Sequence, residues 1–249
     1  MGRLSSKWGG VFAVSAFVIF WFNFPALLFG SQKQPSAFSP DLIPGLVVGT
    51  LFVLGPVLLF LFGFVKRYEK KQSFKATIAS LAWNREGVRR SLLWAVPFFA
   101  LIILSQIIIS EIALGIFGPS VFTYPYQSSL PPWYGFFTII YSVFSSLTEE
   151  TVGVGYIVDR LMPSHPAPLR KASGAVLVRS LVAVLYHLTT YLVLFRFSLA
   201  TAMVNFVSAF VSFAIIGYAY VRSNTRNIAG PWALHYLQDV LMVLETYRL

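Results

Sequence analysis

Glu111, Glu149, Glu150 and Asp239 lie inside long apolar stretches of a chain that has only nine acidic residues in all. His187 and His235 lie in such stretches too, and so does Arg179. A carboxylate and two imidazoles brought together support two kinds of chemistry. A Glu can take a proton from water while His and acid groups steady the oxyanion that develops. Alternatively, two His and one Glu can hold zinc with an open fourth position. Spacing alone leaves both open, because the residues come from three separate apolar segments.

The local geometry is more definite. His235 and Asp239 are i, i+4 and share one helix face. Glu149 and Glu150 are adjacent, so on a helix their side chains diverge by about 100°. Only one of them can point straight at a common centre, and the other needs a different partner. Arg179, Ala183 and His187 follow at i, i+4 and i+8 and form one stripe, along which the small Ala183 leaves room.

The elements that position these residues are membrane spans. The chain has 249 residues, of which 57% are hydrophobic and 11% charged, and it has no cysteine. Soluble domains average roughly 45–50% apolar and about 25% charged residues. The reading is an all-α, polytopic transmembrane helix bundle. The missing cysteines exclude a disulfide framework, a thiolate metal site and a cysteine nucleophile. Seven segments approach the roughly 20 apolar residues that a span requires. They are 8–30, 42–65, 91–117, 133–158, 173–195, 198–221 and the shorter 230–244.

Lys and Arg alternate in density along the connections. Fifteen fall on one set of sides, eight of them in the loop 66–90, and three on the other. The positive-inside rule then predicts a cytoplasmic N-terminus and, with seven spans, an external C-terminus. The net charge of +10 is thus read as orientation and attachment to a lipid bilayer, with no nucleic-acid partner. The first apolar run is far longer than the ~7–15 residues of a signal-peptide core, which predicts a retained helix. Phe74, Ile78 and Leu81 are spaced for a short interfacial helix, with an ordinary solvated basic loop as the alternative. The loop 118–132 is uncharged, Pro-rich and expected outside. No internal repeat divides the chain, so it reads as a single domain, 1–249.

Glu149 lies 11 residues before Arg160, which puts it roughly 16 Å in from the cytoplasmic side. His187 comes out about 21 Å in, and His235 and Asp239 about 8 and 14 Å in. All four can meet between the cytoplasmic half and the middle of the bilayer, which puts a site toward the cytoplasmic side of the cell membrane. Each charge at a helix centre costs about 2.5–3.5 kcal/mol on insertion scales, so groups of this kind mark cavities and sites.

The same residues carry a resemblance. TEETVGVGY (148–156), AVLYH (183–187) and HYLQD (235–239) stand in the order of three motifs. These are the Glu-Glu-x-x-x-Arg, Phe-x-x-x-His and His-x-x-x-Asn/Asp motifs of the CAAX protease and bacteriocin-processing (CPBP, or Abi) family of intramembrane proteases. The resemblance covers about residues 85–240. It implies hydrolysis of a membrane-associated peptide or protein, of which prenylated CAAX ends are one type. Glu149, Glu150, His187, His235 and Asp239 would form the catalytic set. In it Glu149 activates water, His187 helps to hold that water, and His235 with Asp239 stabilises the oxyanion. The resemblance implies no required cofactor and leaves zinc open. Family members linked to bacteriocin maturation or self-immunity supply the alternative, a non-proteolytic scaffold or immunity protein.

Three positions depart from the pattern. Val154 replaces the motif Arg, Ala183 replaces Phe, and Asp239 stands where Asn is commoner. The missing Arg is the serious departure. Arg179, on the His187 stripe, is the candidate charge partner, with Glu150 or Asp239 in reach. Glu111 matches no motif and is expected to be structural. A small transporter using Glu and His as a proton relay is a third reading. No inverted repeat or matched pair of broken helices supports it.

Overall fold

The computed structural model describes residues 2–29, 42–69, 73–122, 132–162, 164, 167–194 and 197–247. The expected loop 31–41, most of the loop 118–132, and His165 lie outside them. Among the described residues the chain is helical throughout and has no strand. In chain order the helices are α1 (Gly2–Phe29), α2 (Leu42–Tyr68), α3 (Phe74–Ser80), α4 (Val88–Phe117) and α5 (Pro132–Val152). After them come α6 (Asp159–Leu161), α7 (Leu169–Tyr186), α8 (Leu199–Ser223) and α9 (Ala229–Tyr247). A π-helical turn, Gly153–Val158, joins α5 to α6.

Five helices carry windows long and apolar enough to cross a membrane: Lys7–Phe24, Leu51–Tyr68, Val88–Phe117, Leu169–Leu192 and Leu199–Ser223. The remaining two expected spans form helices as well, α5 and α9, but they fall short in hydropathy. The reason is compositional. α5 carries Glu149 and Glu150 among Ser and Thr, and α9 carries His235, Gln238 and Asp239. These two polar helices pack on each other. The apolar helices surround them: α4 lies against α8 and α9, α7 against α8, and α1 against α7 and α2.

Side chains fix these crossings. Phe17 of α1 stacks on Phe60 of α2 at 3.9 Å between centroids. The Trp21 indole donates to the carbonyls of Phe52 and Val53 at 3.2 and 3.1 Å. Gln106 joins α4 to the Ser208 hydroxyl of α8, and its Nε2 donates to Ser212 Oγ at 2.7 Å. Gln238 of α9 donates to that same Ser212 oxygen at 3.0 Å. Interhelical bonds of this type contribute about 0.6 kcal/mol each on average.

The short helix expected near Phe74 is present as α3, with the Ser73 hydroxyl accepting from the Ala76 N–H at its start. Its end is pressed onto the π-helical turn. A Cβ on Gly155 would lie 2.3 Å from the Leu81 carbonyl oxygen, so only a glycine permits that approach. Beside it, Arg160 forms a two-pronged pair with Glu69 at 2.8 and 2.7 Å and also donates to the Ser80 carbonyl. Asp159 accepts from Arg226 at 3.1 and 2.6 Å and from the Tyr220 hydroxyl at 2.8 Å. This cluster ties α2, α3, α6 and α8 together at the end of the bundle where α5 terminates.

One expected span is not continuous. The segment 173–195 is interrupted at His187, a single turn residue where α7 ends; helix resumes at Leu188 and passes into a π-helical turn, Thr190–Leu194. Hydropathy could not reveal this, because the backbone groups at the interruption are met by Asn23 of α1.

Candidate active site

Glu149 and Glu150 stand in the last turn of α5, just before the backbone widens into the π-helical turn. Such turns occur often at functional sites, because they re-aim the side chains on either side. Glu150 is fully buried. Its Oε1 accepts from Arg179 Nη2 in a close ion pair and from His235 Nδ1 at 2.9 Å. Of the two carboxylates within the sequence-predicted reach of Arg179, the guanidinium meets Glu150.

Arg179 itself is 1% exposed and lies over the Phe213 ring, with Cζ 4.3 Å from the ring centroid. Its cation is thus met by a carboxylate on one side and an aromatic face on the other. Gly153 makes the space. A Cβ there would lie 2.8 Å from Arg179 Nε and 3.2 Å from its Cγ. Val154, in the position of the motif Arg, is fully buried in the apolar core.

Glu149 points elsewhere, as adjacency on a helix requires. Its Oε2 accepts from the Tyr186 hydroxyl at 2.6 Å and lies 3.9 Å from His235 Nε2. Among the described residues no donor meets its other oxygen. Asp239 Oδ1 lies 3.7 Å from the same His235 nitrogen. His235 is therefore fixed at Nδ1 by Glu150, while Nε2 faces a gap bounded by Glu149 and Asp239. Both separations exceed the ~3.2 Å of a direct hydrogen bond. A small polar group such as water can bridge gaps of this kind.

A match to a family model now bears on the same residues. The model described as type II CAAX prenyl endopeptidase Rce1-like matches residues 131–241. Over those residues the chain is similar to the CAAX proteases, which supports an assignment to that family. That family is one of proteases, so the match supports a peptide hydrolase. No curated protein and no solved structure matches the chain.

The matched region contains every candidate residue from Glu149 to Asp239, and α1 to α4 precede it. Within it His187 stands somewhat apart. Its Nδ1 lies 2.8 Å from the Ala183 carbonyl, and because a carbonyl only accepts, Nδ1 carries the proton. In the neutral form of such a ring the lone pair lies on Nε2. Among the described residues His187 has no hydrogen bond to a carboxylate. It joins the cluster through rings, 4.6 Å from Tyr186 and 6.1 Å from Phe213, and Phe213 meets His235 edge-on at 5.2 Å. Among the described residues no three His, Asp or Glu side chains are grouped as a metal ion requires. Glu111 is exposed on α4 and takes no part.

Four residues of this neighbourhood were not singled out from sequence: Tyr186, Phe213, Gly153 and Asn23. Tyr186 directly precedes His187, and Asn23 is an amide inside an apolar run, so both left a trace. Phe213 and Gly153 left none, because their parts depend on where α7 and α8 fall. Gly153→Ala tests the packing. The added methyl crowds the Arg179 stem, and overpacking of this kind costs about 1–3 kcal/mol. A lowered thermal midpoint of the purified protein is the expected result.

Proposed function

We propose that the chain is an intramembrane endopeptidase that cleaves a membrane-associated peptide by water attack, with a prenylated CAAX-type end as one candidate substrate. Glu149 is the general base. Tyr186 holds one of its oxygens, and the other is left to take a proton from water. His187, with its Nε2 lone pair, helps to orient that water. His235 donates Nδ1–H to Glu150 and offers Nε2–H to the oxyanion, with Asp239 beside it. Glu150 and Arg179 fix the His235 ring. The observation that carries this reading is the gap between His235 Nε2, Glu149 and Asp239, where a donor and a base face one small space.

The test is purified protein in vesicles against fluorogenic CAAX-like and leader-like membrane peptides, with and without chelator. Cleavage that survives chelator supports water activated by glutamate. Cleavage abolished by chelator and restored by zinc would overturn that part of the mechanism. Absence of cleavage of every peptide would favour a non-proteolytic scaffold or immunity protein.

The same reading takes the chain as one unit, 1–249, with seven spans and a cytoplasmic N-terminus. α5 and α9 cross as the polar centre, shielded by apolar neighbours. Because the chain has no cysteine, single replacements report orientation cleanly. Lys75 and Ser120 are both exposed. A membrane-impermeant maleimide should label Lys75→Cys only from the cytoplasmic side and Ser120→Cys only from the opposite side. Labelling of both from one side would sink the topology.

A further inference from the structure

The break in α7 frees backbone groups that flank His187 by two residues on either side. Within a bilayer such groups find no water and must be satisfied by protein. The carbonyl of Leu185 and the N–H of Thr189 are both met by one side chain, Asn23 of α1. Asn23 Nδ2 donates to Leu185 O at 3.0 Å, and Oδ1 accepts from Thr189 N at 2.9 Å. The Thr189 hydroxyl donates to Oδ1 as well, at 2.6 Å. The second Nδ2 proton goes to Ile19 O at 2.7 Å, which locks the amide to its own helix. Its neighbour Phe22 packs against Tyr186, with the rings tilted and their centroids 4.8 Å apart. α1 thus grips the run 185–189 on both sides of His187.

We infer that Asn23 is a positioning residue for the candidate active site: it holds open the α7 break that aims His187 and seats Tyr186 on Glu149. This rests on the reading of His187 as part of a hydrolytic site. The chemistry calls for an amide. Leucine offers neither a donor nor an acceptor, and aspartate offers no donor to Leu185. Asn23 lies outside the matched region 131–241, so the N-terminal helix supplies a determinant of the site that this region does not contain.

The test uses the full chain in nanodiscs with ¹⁵N-labelled histidine, of which it has three. In the unsubstituted protein His187 should give the signature of one neutral tautomer, protonated at Nδ1. In Asn23→Leu that signal should move toward an average of both tautomers, while the His235 signal stays in place. In the peptide assay kcat should fall about 10- to 100-fold, the scale of a 1 Å misplacement, with KM within about twofold. An unmoved His187 signal, or an unchanged kcat, overturns the inference. If Asn23→Leu does not fold, Thr189→Val removes one of the three bonds across the break and should move the His187 signal in the same direction. An unmoved signal there overturns the inference too. If the unsubstituted protein cleaves no peptide, the hydrolytic reading fails by itself, and the His187 spectrum still decides whether Asn23 sets the ring.

Discussion

Glu149→Gln should abolish most peptide cleavage, lowering kcat by about 10²- to 10⁴-fold, the usual contribution of a positioned general base. The substitution keeps shape and volume, and the Gln carbonyl can still accept from the Tyr186 hydroxyl, which now lies 2.6 Å from Glu149 Oε2. What it loses is the capacity to take a proton from water. The thermal midpoint should therefore hardly change. Glu150→Gln gives the contrasting result. Glu150 is fully buried against Arg179 and His235 and is sealed from any substrate. Its neutralisation should lower the thermal midpoint first and slow cleavage through a looser His235. If Glu149→Gln retained most of the wild-type kcat, the base would have to be sought elsewhere, and Asp239 would be the next carboxylate to replace.

The polar residues were legible in the sequence because the membrane makes each of them costly. Nothing but spacing was needed to see that Glu149 and Glu150 diverge, and the structure gives them separate partners, Tyr186 and the Arg179–His235 pair. The stripe from Arg179 to His187 likewise placed a cation within reach of a carboxylate. The limits lie where one helix depends on another. The segment 173–195 reads as an uninterrupted apolar run, yet it is interrupted at His187, where Asn23, more than 160 residues away, takes up the freed backbone groups. The space for Arg179 depends on a glycine across the contact between the π-helical turn 153–158 and α7, which a local pattern cannot assign. Hydropathy also leaves α5 and α9 short of a spanning helix, because they bear the site and borrow their apolar surroundings from other helices.

Arg179→Met should destabilise the protein by about 3–5 kcal/mol, the cost of leaving one member of a buried ion pair without its partner. For a chain of this size that corresponds to a fall of roughly 6–20 °C in thermal midpoint. The magnitude follows from burial: Arg179 is 1% exposed and Glu150 is not exposed at all. The pair is also incompletely compensated. Among the described residues, Arg179 Nε and Nη1 and Glu150 Oε2 lack hydrogen-bond partners. A buried pair of that kind is often replaceable by neutral groups with little loss, whereas either half alone is not. Arg179→Met combined with Glu150→Gln should therefore recover much of the stability lost in the single Arg179 variant. Cleavage should not recover with it, because the Gln holds His235 Nδ1 through a neutral acceptor and Phe213 has lost the guanidinium that lay on its face. Arg179→Lys should fall between the two, since an ammonium keeps the charge but offers no planar fork to lie against the ring. Melting curves for the two single variants and the double variant measure the coupling directly. Additive losses would mean that Arg179 and Glu150 do not act as a pair, and that Val154 has left the motif carboxylate without a counter-charge.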